Sequence, residues 1–362
     1  MCARKDNDTK SMQTALLKWY KRHRRDLPWR QTNDPYAIWI SEIMLQQTQV
    51  ATVIPYFERF LKHFPNVRAL AAAPIGDVIK QWEGLGYYSR ARNLHQTAKK
   101  IVSDFAGRVP EAVDDLLSLP GIGPYTAGAI TSIAFGRDEP VLDGNVERVL
   151  CRVFRIRENP RDTAVRQRLW TIARSLVPRG KASLFNQALM DLGAMICVPR
   201  NPQCLICPLA NLCQARLSDE QNELPLKPRR KATPHYDIAA GVIWKKNRIL
   251  IDQRKAEGLL GGLWEFPGGK REPGETLEEC VVREVREEVG VEVKVLGKIA
   301  AVDHAFSHFR ITLHAFNCKF ISGKPRPIGC AAVKWIHLED VDRYPFPKAN
   351  HKVFAVLRRR NA

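Results

Sequence analysis

Cys197-Val198-Pro199-Arg200-Asn201-Pro202-Gln203-Cys204-Leu205-Ile206-Cys207-Pro208-Leu209-Ala210-Asn211-Leu212-Cys213 sets four thiols at gaps of six, two and five residues. So tight a quartet suits a thiolate-loving centre, either tetrahedral zinc or an iron–sulfur cluster, and spacing alone does not choose between them. It is not a disulfide framework. A chain of 362 residues needs no stapling, and the other five cysteines (Cys2, Cys151, Cys280, Cys318, Cys330) follow no pairing rhythm, which points to a reducing compartment.

Upstream of this loop, from Met12 onward, apolar residues recur three and four apart, as in Val146, Val149, Leu150 and Val153, with prolines at segment edges. That rhythm is helical. Three prolines and a run of cations between Asn222 and Pro234 break it and read as a linker. Beyond it, strands are expected over Ile238–Trp244, Ile249–Asp252 and Arg310–Phe320, around one helix from Leu277 to Val289. The expected division is therefore a helical domain over 1–221, a linker over 222–234 and an α+β domain over 235–362.

With 45% apolar residues the chain is globular, and a net charge of +19 points to a polyanion, with 8% aromatic residues available to stack on bases. Residues 1–6 lack an apolar signal core, and no run of about eighteen apolar residues occurs. The expectation is a soluble, cytoplasmic monomer with no membrane partner, nucleoid-associated if bacterial.

Leu119-Pro120-Gly121-Ile122-Gly123-Pro124-Tyr125 reads as helix, tight glycine turn, helix. Gly121 and Gly123 would let the backbone approach a ligand, and the next helix would aim free N–H groups at a DNA phosphate. Glu42 stands alone among apolar neighbours in Ile38-Trp39-Ile40-Ser41-Glu42-Ile43-Met44-Leu45, behind the N-cap and first-turn pair Asp34-Pro35. Facing inward it would be a carboxyl of raised pKa, able to act as a general acid; facing outward it would be a solvated helix residue. Asp143, in Leu142-Asp143-Gly144-Asn145-Val146, reads as a helix N-cap, and a helix N-terminus favours the ionised carboxylate. Two acids pushed apart in this way suit glycosidic cleavage.

In the C-terminal part Gly269, Glu275, Arg283, Glu284, Glu287, Glu288 and Gly290 form a complete Nudix box. Glu284, Glu287 and Glu288 lie three and four apart on one helix face and could hold Mg²⁺ on a diphosphate.

The order of glycine hairpin, Asp143 and cysteine loop resembles that of the helix–hairpin–helix, endonuclease III-like DNA glycosylases, and the run Ser41–Val50 is closely similar to the active-site helix of the MutY-type adenine glycosylases. The resemblance covers nearly the whole length. It implies an all-α helix–hairpin–helix domain with a [4Fe–4S] cluster on Cys197, Cys204, Cys207 and Cys213, followed by an α+β Nudix-like domain. It further implies a monofunctional enzyme that removes adenine opposite 8-oxoguanine or guanine in double-stranded DNA. Glu42 would protonate the departing adenine, Asp143 would stabilise the oxocarbenium ion, and Tyr125 and Asn145 would orient sugar, water and Asp143. Gln47, Thr48, Leu85 and Tyr87 match residues that wedge beside the base, and Trp29 and Arg30 match the adenine pocket. Phe306, Ser307 and His308 match the loop that recognises 8-oxoguanine.

The C-terminal part also resembles MutT-type hydrolases, which place a further acid some six positions before a tryptophan that here is Trp335. This chain has Ile328-Gly329-Cys330-Ala331-Ala332 there, which implies a metal-binding but hydrolytically feeble domain. Other readings are a nucleotide hydrolase whose helical domain merely binds DNA, a mismatch binder without catalysis, and an endonuclease III-type glycosylase/lyase. The last would need a lysine nucleophile where this chain has Tyr125.

Overall fold

The computed structural model describes the chain except residues 1–5, 227–232, 307 and 361–362. It forms two compact units that do not follow the chain contiguously: residues 1–72 with 93–230, and residues 73–92 with 231–362. The sequence suggested one break near residue 222. Instead, the helix Ile75–Trp82 and the turn after it group with the C-terminal unit. Among the described residues no helix is long and apolar enough to cross a membrane.

The first unit is helical throughout its described residues. Its core gathers Met12, Leu16, Val146, Val149, Leu150, Leu169, Phe185, Leu189 and Leu192. The helix Pro35–Leu45 starts as expected: Asp34 accepts from the Tyr36 N–H at 3.0 Å, and Pro35 takes the first turn. It is buried from Tyr36 to Met44, so it has no solvent face for Glu42 to occupy. The hairpin joins the helices Val113–Leu117 and Pro124–Ala134. Leu224 is buried, and its carbonyl accepts from Arg152 Nε at 2.9 Å, so the helical unit reaches past residue 221 into the expected linker.

The second unit is a mixed sheet of β1 (His235–Lys245), β2 (Arg248–Gln253), β3 (Trp264–Glu265), β4 (Gly268–Lys270), β5 (Val291–Ala305), β6 (Arg310–Gly323) and β7 (Ala332–His337). The order is β3-β2-β1-β6-β5, with β4 on β1 and β7 on β2; β1 and β6 run parallel and the other pairs antiparallel. β1 is buried on both faces: Ala239 and Ile243 meet the helix Leu277–Val289, while Ala240 and Val242 belong to the core that holds Val353, Phe354 and Leu357. The second core depends on the helix Lys348–Arg360, which the strand-and-one-helix expectation lacked. Leu277–Val289 has the expected bounds, set by a capping box of Thr276 with Glu279 and by the left-handed Gly290.

Gly121 has φ of +78°, and a Cβ there would stand 2.8 Å from Asn93 Cβ; Gly123 is extended and faces open space. Gly121→Ala should therefore lower unfolding stability by more than about 1 kcal/mol, whereas Gly123→Ala should stay within about 0.5 kcal/mol of wild type. Denaturant midpoints of the two variants check this.

Candidate active site

Glu42 is 4% exposed, and the Tyr125 hydroxyl donates to its Oε2 at 2.5 Å. Burial pushes its pKa up to about 7; the Tyr125 hydrogen bond opposes this and the nearby charge of Asp143 adds to it. The inward-facing alternative thus holds. Tyr125, at the start of its helix, also contacts Met190 Sδ at 3.4 Å.

Asp143 caps the helix Gly144–Val153. It accepts from Asn145 N (3.0 Å), Val146 N (2.7 Å) and Asn145 Nδ2 (2.9 Å). The capping was foreseen, but its electrostatic consequence was not. Burial raises the Asp143 pKa despite these bonds, so the helix start tempers a desolvated carboxyl without bringing it below the ordinary range.

One open cleft of about 1110 Å³ brings together Glu42, Asp143, Tyr125 and Asn145, with Trp29, Arg30, Gln47 and Thr48 also on its walls. Gln47 is exposed and left-handed at φ 59°. Trp29 packs edge-on against Phe57 at 5.5 Å. Arg30 is committed elsewhere than expected: its guanidinium pairs with both oxygens of Asp191 at 2.7 and 2.9 Å. Asp191, 0% exposed, also takes Arg25. Sequence reading missed it, although it shows the signal that singled out Glu42: a lone carboxylate among the apolar residues of one helix, here Ala182–Met195.

The cysteine loop adjoins this site through the same helix that Asp143 caps. Arg148 donates to Asn145 Oδ1 (2.8 Å), Gly193 O (2.7 Å) and Cys197 O (2.7 Å). One turn on, buried Arg152 donates to Cys197 Sγ at 3.2 Å and Val198 O at 2.8 Å. Gly193 makes room for this packing, since a Cβ there would meet Asn145 Cβ at 2.6 Å. All four cysteines line one small cavity of about 20 Å³. Burial raises the thiols of Cys204, Cys207 and Cys213, that of Cys207 to about 12, so they need a bound cation to become thiolates. Among the described residues no three His, Cys, Asp or Glu side chains stand close enough to hold a single metal ion. A sulfur set around a cavity, with an arginine donating to one sulfur, fits a cluster better than one tetrahedral ion.

The remaining expected residues lie in the second unit. Leu85 is 6% exposed and packed inside, whereas Tyr87 is 39% exposed and left-handed at φ 48°. Tyr87 lines a cleft of about 680 Å³ with Phe306, His308, Glu284 and Glu288. Phe306 stacks on Phe309 at 4.7 Å. Ser307 lies outside the described residues. The three box glutamates do not converge. Glu284 and Glu287 pair with Arg283 at 2.9 and 3.2 Å, while Glu288 accepts from Gly268 N at 3.0 Å and is pushed up to about 7 by burial.

Comparison with known proteins agrees with this layout. Residues 40–175 match the family described as HhH-GPD superfamily base excision DNA repair protein, residues 197–213 the iron-sulfur binding domain of endonuclease III, and residues 239–356 the NUDIX domain. The chain is 36% identical to human adenine DNA glycosylase over 94% of its own length and 73% of the human protein. It is 37% identical to the adenine DNA glycosylase of Buchnera aphidicola subsp. Acyrthosiphon pisum over 81% of its length and 82% of that protein. The solved structure of a thermostable thymine-DNA glycosylase aligns with a TM-score of 0.55 at 34% identity, over 59% of this chain and 98% of that one.

The raised pKa of Glu42 makes stability depend on pH. Below its ordinary value of 4.5 the carboxyl is neutral both folded and unfolded; above about 7 it is charged in both, and only the folded state bears the cost of burial. The stability that Glu42 leaves intact at low pH is thus lost as pH rises through about 7. Glu42→Gln should be more stable than wild type above about pH 8 by up to about 3 kcal/mol, and equal to it below about pH 4. Urea unfolding at both pH values checks this.

Proposed function

From a chain that belongs to the adenine DNA glycosylase family, we propose excision of adenine paired with 8-oxoguanine, or with guanine, from double-stranded DNA in base excision repair. The observation that carries the reading is a buried carboxyl of pKa about 7, hydrogen-bonded by Tyr125, in one cleft with the helix-capping Asp143.

The adenine nucleotide is extruded from the duplex into that cleft. Glu42, about half protonated near neutrality, gives its proton to the departing base as the N-glycosidic bond breaks. Asp143, held by Asn145 and two backbone N–H groups, stabilises the oxocarbenium-like sugar until water adds. Tyr125 keeps the Glu42 oxygen aimed. Because that hairpin position carries a phenol and not an amine, the sugar is released to water without a Schiff base, which supports a monofunctional glycosylase. Trp29, Gln47 and Thr48 shape the base pocket, while Arg30 acts through Asp191 as part of its wall. Gly121 and Gly123 bring the hairpin backbone to a phosphate, and the net charge of +19 supplies nonspecific affinity.

Cys197, Cys204, Cys207 and Cys213 would hold a [4Fe–4S] cluster, which would cross-link the loop to itself, while Arg148 and Arg152 dock the loop on their helix. The second unit reads the base opposite adenine through Phe306, Ser307 and His308. A reading role is supported over nucleotide hydrolysis because Glu284 and Glu287 are engaged by Arg283, which disfavours a Mg²⁺ site on the Nudix helix.

Single-turnover assays on duplexes carrying adenine opposite 8-oxoguanine, guanine or thymine, with alkaline work-up of abasic sites, test the proposal. The order should be 8-oxoguanine first and thymine negligible, Glu42→Gln should abolish release while still binding the mismatch, and Asp143→Asn should be severely impaired. Any other substrate order contradicts the reading. Anaerobically purified protein should hold about four irons per chain; stoichiometric zinc without iron would overturn the cluster.

A further inference from the structure

Glu83 sits at the end of the helix Ile75–Trp82, at the root of a turn in which Gly84, Gly86 and Tyr87 all have positive φ, at 96°, 73° and 48°. The glycines take this conformation freely, but Tyr87 bears a cost there that its surroundings must offset. Within the turn, Trp82 Nε1 donates to Gly86 O at 3.1 Å, Gly84 N to the Tyr88 hydroxyl at 3.1 Å, and Arg90 to Leu85 O and Gly86 O at 3.3 and 3.1 Å. Arg90 also lies over the rings of Trp82 and Tyr87. These bonds hold the shape of the turn.

Glu83 connects the root of the turn to a segment far along the chain. Its Oε1 accepts from the Phe346 N–H and from His351 Nε2, both at 2.7 Å, and its Oε2 accepts from Lys80 Nζ at 2.6 Å. Lys80 also donates to Tyr344 O at 3.0 Å. The few residues after Tyr344 continue into Lys348 and Asn350, which wall the cleft that contains Tyr87, Phe306 and His308. Burial alone would raise the Glu83 carboxyl, yet the bonds from His351, Lys80 and Phe346 hold it below its ordinary range, so the clamp engages the charged form.

We propose that Glu83 is a positioning residue for discrimination of the base opposite adenine: it clamps the root of the Tyr87 turn to the Tyr344–Asn350 wall and so fixes Tyr87 relative to the Phe306–His308 loop. The inference rests on the reading that this cleft recognises 8-oxoguanine. Its geometric part can be tested without that reading.

Glu83→Gln keeps the shape and an acceptor for the Phe346 N–H but loses the charge that holds Lys80. His351→Gln removes one arm at a half-exposed position. In the DNA-free protein labelled with 3-fluorotyrosine, and with the Tyr87 signal assigned by Tyr87→Phe, both variants should shift the Tyr87 fluorine resonance; an unmoved resonance overturns the clamp whatever the protein recognises. In single-turnover assays Glu83→Gln should lower the preference for 8-oxoguanine over guanine by about tenfold, leave release opposite guanine unchanged, and add nothing in a Tyr87→Ala background. Equal slowing of both substrates, unchanged preference, or additivity with Tyr87→Ala would overturn the positioning role. A wild-type protein without any 8-oxoguanine preference would instead overturn the reading beneath it, with the fluorine result still judging the clamp.

Discussion

Burial of the Glu42 carboxyl is the constraint on which the rest of the first unit turns. A helix buried from Tyr36 to Met44 gives a carboxylate no water, and desolvation is the largest influence on its proton. The packing that secures the helix thereby keeps about half of this acid protonated at neutral pH, where an exposed glutamate would be charged. The neighbouring Arg30 opposes this only weakly. Asp191 neutralises it in a buried bidentate pair, leaving the arginine as a fixed wall.

The second carboxyl owes its place to a different device. Asp143 is held by the first N–H groups of a helix whose next turns carry Arg148 and Arg152, and those arginines grip the carbonyl and sulfur of Cys197. A chain of hydrogen bonds thus runs from Asp143 through Asn145 and Arg148 to the first cysteine of the loop. Order in the loop and order in the carboxylate are supported by one short helix, closely packed where Gly193 meets Asn145. The loop meets the site through that helix and through Pro199, which lines the cleft of Glu42 and Asp143.

Much of this was legible in the sequence because the signals are local. The cysteine spacing, the glycine hairpin, the Asp34-Pro35 start and the capped helix Leu277–Val289 each depend on neighbours in the chain. What was not legible is long-range. β5, from Val291 to Ala305, escaped notice because three register shifts against β6 break its alternation, and Lys348–Arg360 was hidden because cations in its sequence surround the buried stripe of Val353, Phe354 and Leu357. The grouping of residues 73–92 with the C-terminal unit, the raised pKa of Asp143 and the pairing of Arg30 with Asp191 all arise from partners far away in sequence. The three box glutamates share one helix as expected, yet Arg283 claims two of them.

The central claim, that burial makes Glu42 a proton donor near neutrality, is tested most directly by carbon-13 NMR of the glutamate side-chain carboxyls, with the Glu42 signal identified by its loss in Glu42→Gln. The account predicts a titration midpoint close to 7, well above the ordinary 4.5. A midpoint at the ordinary value would show the carboxyl charged at neutral pH and contradict the account.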